Sequence, residues 1–241
     1  MRVILLFLNT IGIFCISCDP TSPMEESWQA SVNIHISHSV GAQELYYDSV
    51  CYTNAKKENY SISRLQYYLS DIHFYKDGKL QYFWNHTLYI DAFKEQPNIS
   101  LGNISPFTYD SISYLIGVPA VRNQHGMLPS TYENLAMEWP DIMGGGYHFI
   151  KLEGHWRAAN DISGYAIHLG TLPCIVQGSI SVKGTFTAGE NHVLTLHMDI
   201  NEWFQHPYAY SFEHDGVYTM GDSLLMNLIA INGKDVLQPS Y

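Results

Sequence analysis

Positive charge is scarce in this sequence: 12 Lys and Arg stand against 23 Asp and Glu, a formal net charge of −11. Without a basic stripe to meet phosphates, binding to nucleic acid would start against repulsion, and that class of partner is excluded. The chain also lacks His-Glu-x-x-His, a haem-attachment motif and a glycine-rich phosphate loop, and it has no Cys-x-x-Cys beyond Cys15 to Cys18 at the end of the N-terminal apolar stretch. Zinc protease, structural zinc, nucleotide and haem readings therefore have no support. No internal repeat is visible, and no apolar run is long enough to span a bilayer. What is abundant is apolar and aromatic: 46% hydrophobic residues, 14% aromatic and 18 Tyr. That excludes disorder, supplies a sizeable core and favours strands, because flat side chains pack well on a pleated face.

The apolar stretches that do occur sit at the start, Val3 to Leu8 and Ile11 to Ile16 behind Met1 and Arg2. They fit the hydrophobic region of an export signal over residues 1–17. Ile16-Ser17-Cys18 looks like a bacterial lipobox, with Cys15 where Leu is usual, so Cys18 is the expected lipidation site. The mature chain would be held by a lipid anchor at the periplasmic face or cell surface of the outer membrane. Residues 18–30, with Pro20 and Pro23 and little apolar content, read as a tether. Cys51 and Cys174 then remain in the domain, and an even pair in an oxidising compartment reads as one disulfide. Two unpaired buried thiols are the alternative, since spacing does not establish proximity. Asn59, Asn85, Asn98 and Asn103 stand in glycosylation sequons that a bacterial lipobox makes coincidental.

Residues 31–241 read as one all-β domain, an antiparallel sandwich with long ordered loops and a short C-terminal helix. Val32 to His38 alternates with period two, and Ser61 to Leu69 offers a Ser cap followed by one or two helical turns. Asp71 to Tyr75 and Leu80 to Trp84 form a hairpin around Asp77-Gly78. Leu88 to Asp91 and Ser111 to Gly117 are further short strands. Residues 119–146, rich in Pro, Asn, Gly and Met without a sustained period, form a long ordered loop of the kind that carries function. Strands resume over Tyr147–Trp156, Gly164–Leu169, Ile175–Phe186 and His192–Ile200 as an antiparallel meander. Asp222 or Ser223 caps a helix from Leu224 to Ile231 that Asn232-Gly233 ends.

The 12 histidines equal the Lys and Arg in number. Neutral imidazole is a common ligand for copper and zinc, so the inward-pointing ones matter most. Strand parity puts His38 on the face of Val32, Ile34 and Ile36, with His35 opposite. It puts His148 on the face of Ile150, Leu152 and Trp156, away from Lys151 and Glu153. His168 falls opposite Tyr165, Ile167 and Leu169, beside the small Ala166 and Gly170. His197 shares a polar face with Thr195 and Asp199. A single inward His is more often a hydrogen-bonded core residue than a ligand. Two of them, with His168 as a third candidate, make a metal site worth testing.

The run Glu138-Trp139-Pro140-Asp141-Ile142-Met143-Gly144-Gly145-Gly146-Tyr147-His148, continuing to Gly154, resembles the signature of MbnP-like proteins, the Bacteroidetes type in particular. Supporting pieces follow in the family's order: Ile36-Ser37-His38, Leu65 to Asp71, Ile116 to Pro119, Gly164 to Gly170 and Asn201 to Phe204. The resemblance implies a sandwich-like domain holding one copper ion through histidines, with His38, His148 and His168 as the candidates here. It also implies a partner, a di-haem protein related to cytochrome c peroxidases, that oxidises one Trp to kynurenine as an added ligand. Trp139 is the candidate, with a plain loop anchor as the alternative. Met127, Met137 and Met143 are available as soft thioether ligands or as core filling. The leading expectation is copper acquisition, storage or homeostasis without turnover. A copper-dependent redox enzyme and a metal-free surface binding or adhesion module are the alternatives.

Overall fold

The computed structural model describes residues 28–94, 98–159 and 161–240. The expected export signal, Cys18 and most of the tether lie outside them. The first sheet is built on β1 (Ala30–Val40), whose even positions from Ala30 to Ile36 are all buried. One edge of β1 meets β12 (Asn191–Asp199), and β12 carries β13 (Leu237–Pro239) on its far side. The other edge takes β2 (Gln43–Glu44) and β7 (Ile99–Ile104). β1 and β12 run parallel, from Ser31 opposite Asn191 to Ser39 opposite Asp199, while every other named strand pair is antiparallel. No hairpin joins the two, being separated by most of the domain, so nothing forces them antiparallel.

The second sheet centres on β5 (Arg64–Lys76), with β6 (Lys79–Asp91) along one edge. β8 (Phe107–Ile116) and β9 (His148–Arg157) share its other edge. β11 (Val176–Phe186) flanks β8, and β10 (Ile162–Gly170) flanks β9. The short β3 (Tyr52–Thr53) and β4 (Asn59–Tyr60) close the sheet at Trp156. Ile34, Leu65, Tyr67, Ile150, Leu152 and Met198 belong to one continuous buried core.

The hairpin falls where Asp77-Gly78 places it, both residues at positive φ (49° and 71°). This is the two-residue turn that matches strand twist. Residues from Ser61 to Leu69 are not helical. The segment enters β5, where Leu65, Tyr67, Tyr68 and Leu69 are all buried, so tertiary burial on both faces overrides a local cap signal. The 119–146 segment is the long ordered loop expected, carrying only the one-turn helix α1 (Tyr132–Ala136), capped by the Thr131 side chain, and a 3-10 turn at Asp141–Met143. The C-terminal helix α2 (Ser223–Asn232) is capped by Asp222, whose carboxylate accepts from the N–H groups of Leu224 and Leu225. Gly233 does not end α2 by turning left-handed: its φ is −68°. It is small because a Cβ there would lie 2.4 Å from the Trp203 ring.

The expected Cys51–Cys174 disulfide is absent. Cys51 is exposed ahead of β3, whereas Cys174 is buried in a 3-10 turn between β10 and β11, and both are free. One thiol faces solvent and the other packs in the core as a small apolar side chain. Burial pushes the Cys174 thiol pKa up.

Candidate metal centre

Strand parity alone would place His148 and His168 on opposite faces of their hairpin. A bulge changes this. β9 and β10 pair in step up to Leu169 opposite Ile150, and then Gly170 pairs with His148, leaving Phe149 as the extra residue. An extra residue in one strand breaks the alternation and re-aims the next side chain. The His148 ring consequently stands beside that of His168, with centroids 5.1 Å apart and planes at 86°.

Trp139 completes the cluster, its ring 4.7 Å from that of His148. It arrives on the loop because residues 137–139 pair with the start of β9: the Trp139 N–H donates to Gly146 O and the His148 N–H to Met137 O. Gly144, Gly145 and Gly146 all have positive φ (106°, 66° and 87°), which permits the sharp entry into β9. The Trp139 indole N–H donates to Met143 O at 3.1 Å. Its ring lies over Gly170, where a Cβ would come within 2.3 Å of it. Trp139 is 1% exposed and His148 5%.

Each imidazole is held by an acceptor. His148 Nδ1 lies 3.1 Å from Met137 O, and a carbonyl oxygen only accepts, so Nδ1 carries the proton and Nε2 the lone pair. His168 Nε2 lies 2.8 Å from Glu153 Oε1, which puts the proton on Nε2 and the lone pair of the neutral ring on Nδ1. Burial first, then the charges of Lys151 and His168, lower the His148 pKa to about 3, so the ring is neutral at ordinary pH. Arg64 Nη1 donates to the same Glu153 oxygen at 2.8 Å. Burial raises the Glu153 pKa, but the bond from His168 and the charge of Arg64 outweigh it and hold the carboxyl below its usual range. Thr219 fixes the His168 backbone from outside, its hydroxyl accepting from His168 N–H and donating to His168 O.

His38 does not join this group. Its Nε2 lies 3.0 Å from the Tyr67 hydroxyl, and Tyr67 is buried in the core. Burial, followed by the charge of His197, lowers the His38 pKa to about 4. Among the described residues no three His, Cys, Asp or Glu side chains are grouped so as to hold a metal together. The centre is two imidazoles and an indole. Met137 and Met143 contribute carbonyl oxygens to it, and Met127 is an exposed loop residue. Sequence reading missed Glu153, Arg64 and Thr219. Glu153 had one available signal, since it shares the outward face of β9 with Lys151, beside which His168 pairs.

No curated protein matches the chain. Among solved structures, MbnP from Methylosinus trichosporium is similar at 12% identity and a TM-score of 0.48, with 73% of this chain and 78% of that chain covered. The MbnP family model matches residues 29–220. That span contains the whole His148–His168–Trp139 cluster, with the strands β9 and β10 and the loop that carry it, and the chain belongs to the MbnP family.

Proposed function

We propose that this protein is an exported copper-binding lipoprotein whose mononuclear site is formed by His148 and His168. The observation that carries the reading is the pair of adjacent imidazoles, each tied at one nitrogen to an acceptor so that the other nitrogen keeps its lone pair. Metal-binding histidines characteristically donate their second N–H in this way. Two imidazoles bound to one tetrahedral ion at about 2.0 Å have centroids roughly 5 Å apart, which fits the spacing of this pair. Imidazole suits copper, zinc and nickel alike. The choice of copper rests on the family resemblance.

Trp139 as it stands is no ligand, because its indole nitrogen only donates and is engaged by Met143 O. We assign it the role of a ring oxidised to kynurenine by a di-haem partner. With dioxygen or two equivalents of peroxide as the four-electron oxidant used by the haem partner, the indole C2–C3 bond would be cleaved with an oxygen added at each carbon. Hydrolysis by one water would then release C2 as formate, leaving a ketone and an aromatic amine able to bind metal. Ile142, Leu172 and Tyr218, each within three residues of Trp139, Gly170 or Thr219, are large apolar residues left exposed, and exposed apolar side chains of this kind would suit a docking protein. Bound copper would supply redox chemistry. The chain itself orients two imidazoles, keeps His148 neutral by burial and covers that ring with Trp139.

The decisive measurement is copper stoichiometry by elemental analysis of envelope-derived protein. Wild type and His38→Ala should each carry one copper, while His148→Ala and His168→Ala should carry none. Wild type without copper after supplementation would refute the proposal. Peptide mass analysis should find Trp139 altered by one oxygen gained and one carbon lost in native protein, and intact in protein made without the partner. Unmodified Trp139 in native, copper-loaded protein would refute its assigned role.

A further inference from the structure

Resting on the copper reading, we infer that Glu153 and Arg64 form a positioning pair that sets the oxidation state the metal prefers, with opposite signs. Glu153 Oε1 takes the proton-bearing Nε2 of His168 at 2.8 Å and Arg64 Nη1 at 2.8 Å, so a single carboxylate oxygen stands between the imidazole and a guanidinium. A carboxylate on the far N–H of an imidazole draws that proton outward and makes the other nitrogen a stronger donor. It also brings one negative charge close to the metal, and Coulomb attraction to that charge is larger for Cu(II) than for Cu(I). Arg64 withdraws electron density from the same oxygen and adds a positive charge, which pulls the balance back.

The arrangement is rigid where it acts. Glu153 sits on β9 opposite Arg64 of β5 on one side and Ala166 of β10 on the other, in a strand paired at both edges. The backbone of His168 is clamped by Thr219. Glu153 and His168 side chains are 22% and 15% exposed, so their interaction is partly shielded from solvent, whereas Arg64 is 45% exposed. The Arg64 contribution is therefore the smaller of the two. A plain surface ion pair would stabilise the hairpin slightly and leave a metal indifferent to it.

The test uses the full mature chain as wild type, Glu153→Gln and Arg64→Met, with folding checked by circular dichroism. Titration with copper in each oxidation state should show Cu(II) affinity falling about 10- to 100-fold in Glu153→Gln, with a smaller change for Cu(I) and hence a higher reduction potential. Arg64→Met should shift the potential the other way. Shifts in the same direction, or none, overturn the inference. Nitrogen-15 NMR of the metal-free wild type should find the His168 proton on Nε2, and a proton on Nδ1 overturns it regardless of copper. Wild type that takes up no copper, with His168 still protonated on Nε2, refutes the copper reading and with it the oxidation-state role.

Discussion

Replacing Gly170 by Ala tests whether the Trp139 slot is as tight as its geometry requires. A Cβ on Gly170 would lie 2.3 Å from Cε3 of Trp139 and 2.6 Å from both Cδ2 and Cζ3. Carbon atoms prefer about 3.5–4.0 Å, so the ring would have to retreat by more than an ångström. It is 1% exposed, its N–H is bound to Met143 O, and its other side faces His148. Overpacking of this kind costs about 1–3 kcal/mol, offset by up to about 1 kcal/mol from the reduced entropy of the unfolded chain. The expected net loss is about 1–2 kcal/mol, a fall in Tm of roughly 2–8 °C for a domain of this size. Gly164→Ala is the control on the same strand, since its Cβ would meet only Gly154 O, at 3.8 Å. That change should be neutral or slightly stabilising. Thermal melting and tryptophan fluorescence of the two variants measure both effects. Equal stability, with unchanged fluorescence in Gly170→Ala, would refute the packing argument for Trp139.

Stability should also fall with acid: burial lowers the pKa of His38 to about 4 and of His148 to about 3. In the unfolded chain both titrate near 6.5, so below that pH the unfolded state binds protons the folded state does not, and stability drops until the folded values are reached. Between pH 7 and pH 5 the loss should approach about 4 kcal/mol at most, at about 1.4 kcal/mol per pH unit and group. Urea titrations would detect it, and a flat profile would contradict the neutral buried imidazoles. Asp222→Ala should cost about 1 kcal/mol by removing the cap of α2. Thermal melting would check this, and Asp222→Asn should recover most of it.

Periodic features were legible in the chain itself. The alternation of Val32, Ile34 and Ile36 marks β1, Asp77-Gly78 marks the turn between β5 and β6, Asp222 marks the start of α2, and Gly144 to Gly146 mark a sharp entry into β9. These are local consequences of side-chain size, backbone freedom and hydrogen-bonding groups a few residues apart. The run from Glu138 to Gly154 likewise carried the family in its order of residues, and with it Trp139, His148 and His168 as candidates.

Whether those candidates meet was not a local matter. Parity counts positions within one strand, while the bulge at Phe149 comes from the register β9 adopts against β10, so His148 and His168 became neighbours through pairing that neither segment encodes alone. Equally, the tertiary structure gave His38 to Tyr67, kept Cys51 and Cys174 apart, and made β5 a strand by burying both of its faces. Glu153 reads along the chain as one more outward charge on β9. Only cross-strand packing puts its carboxylate on the ring of His168, where a hydrogen bond fixes which nitrogen keeps the lone pair.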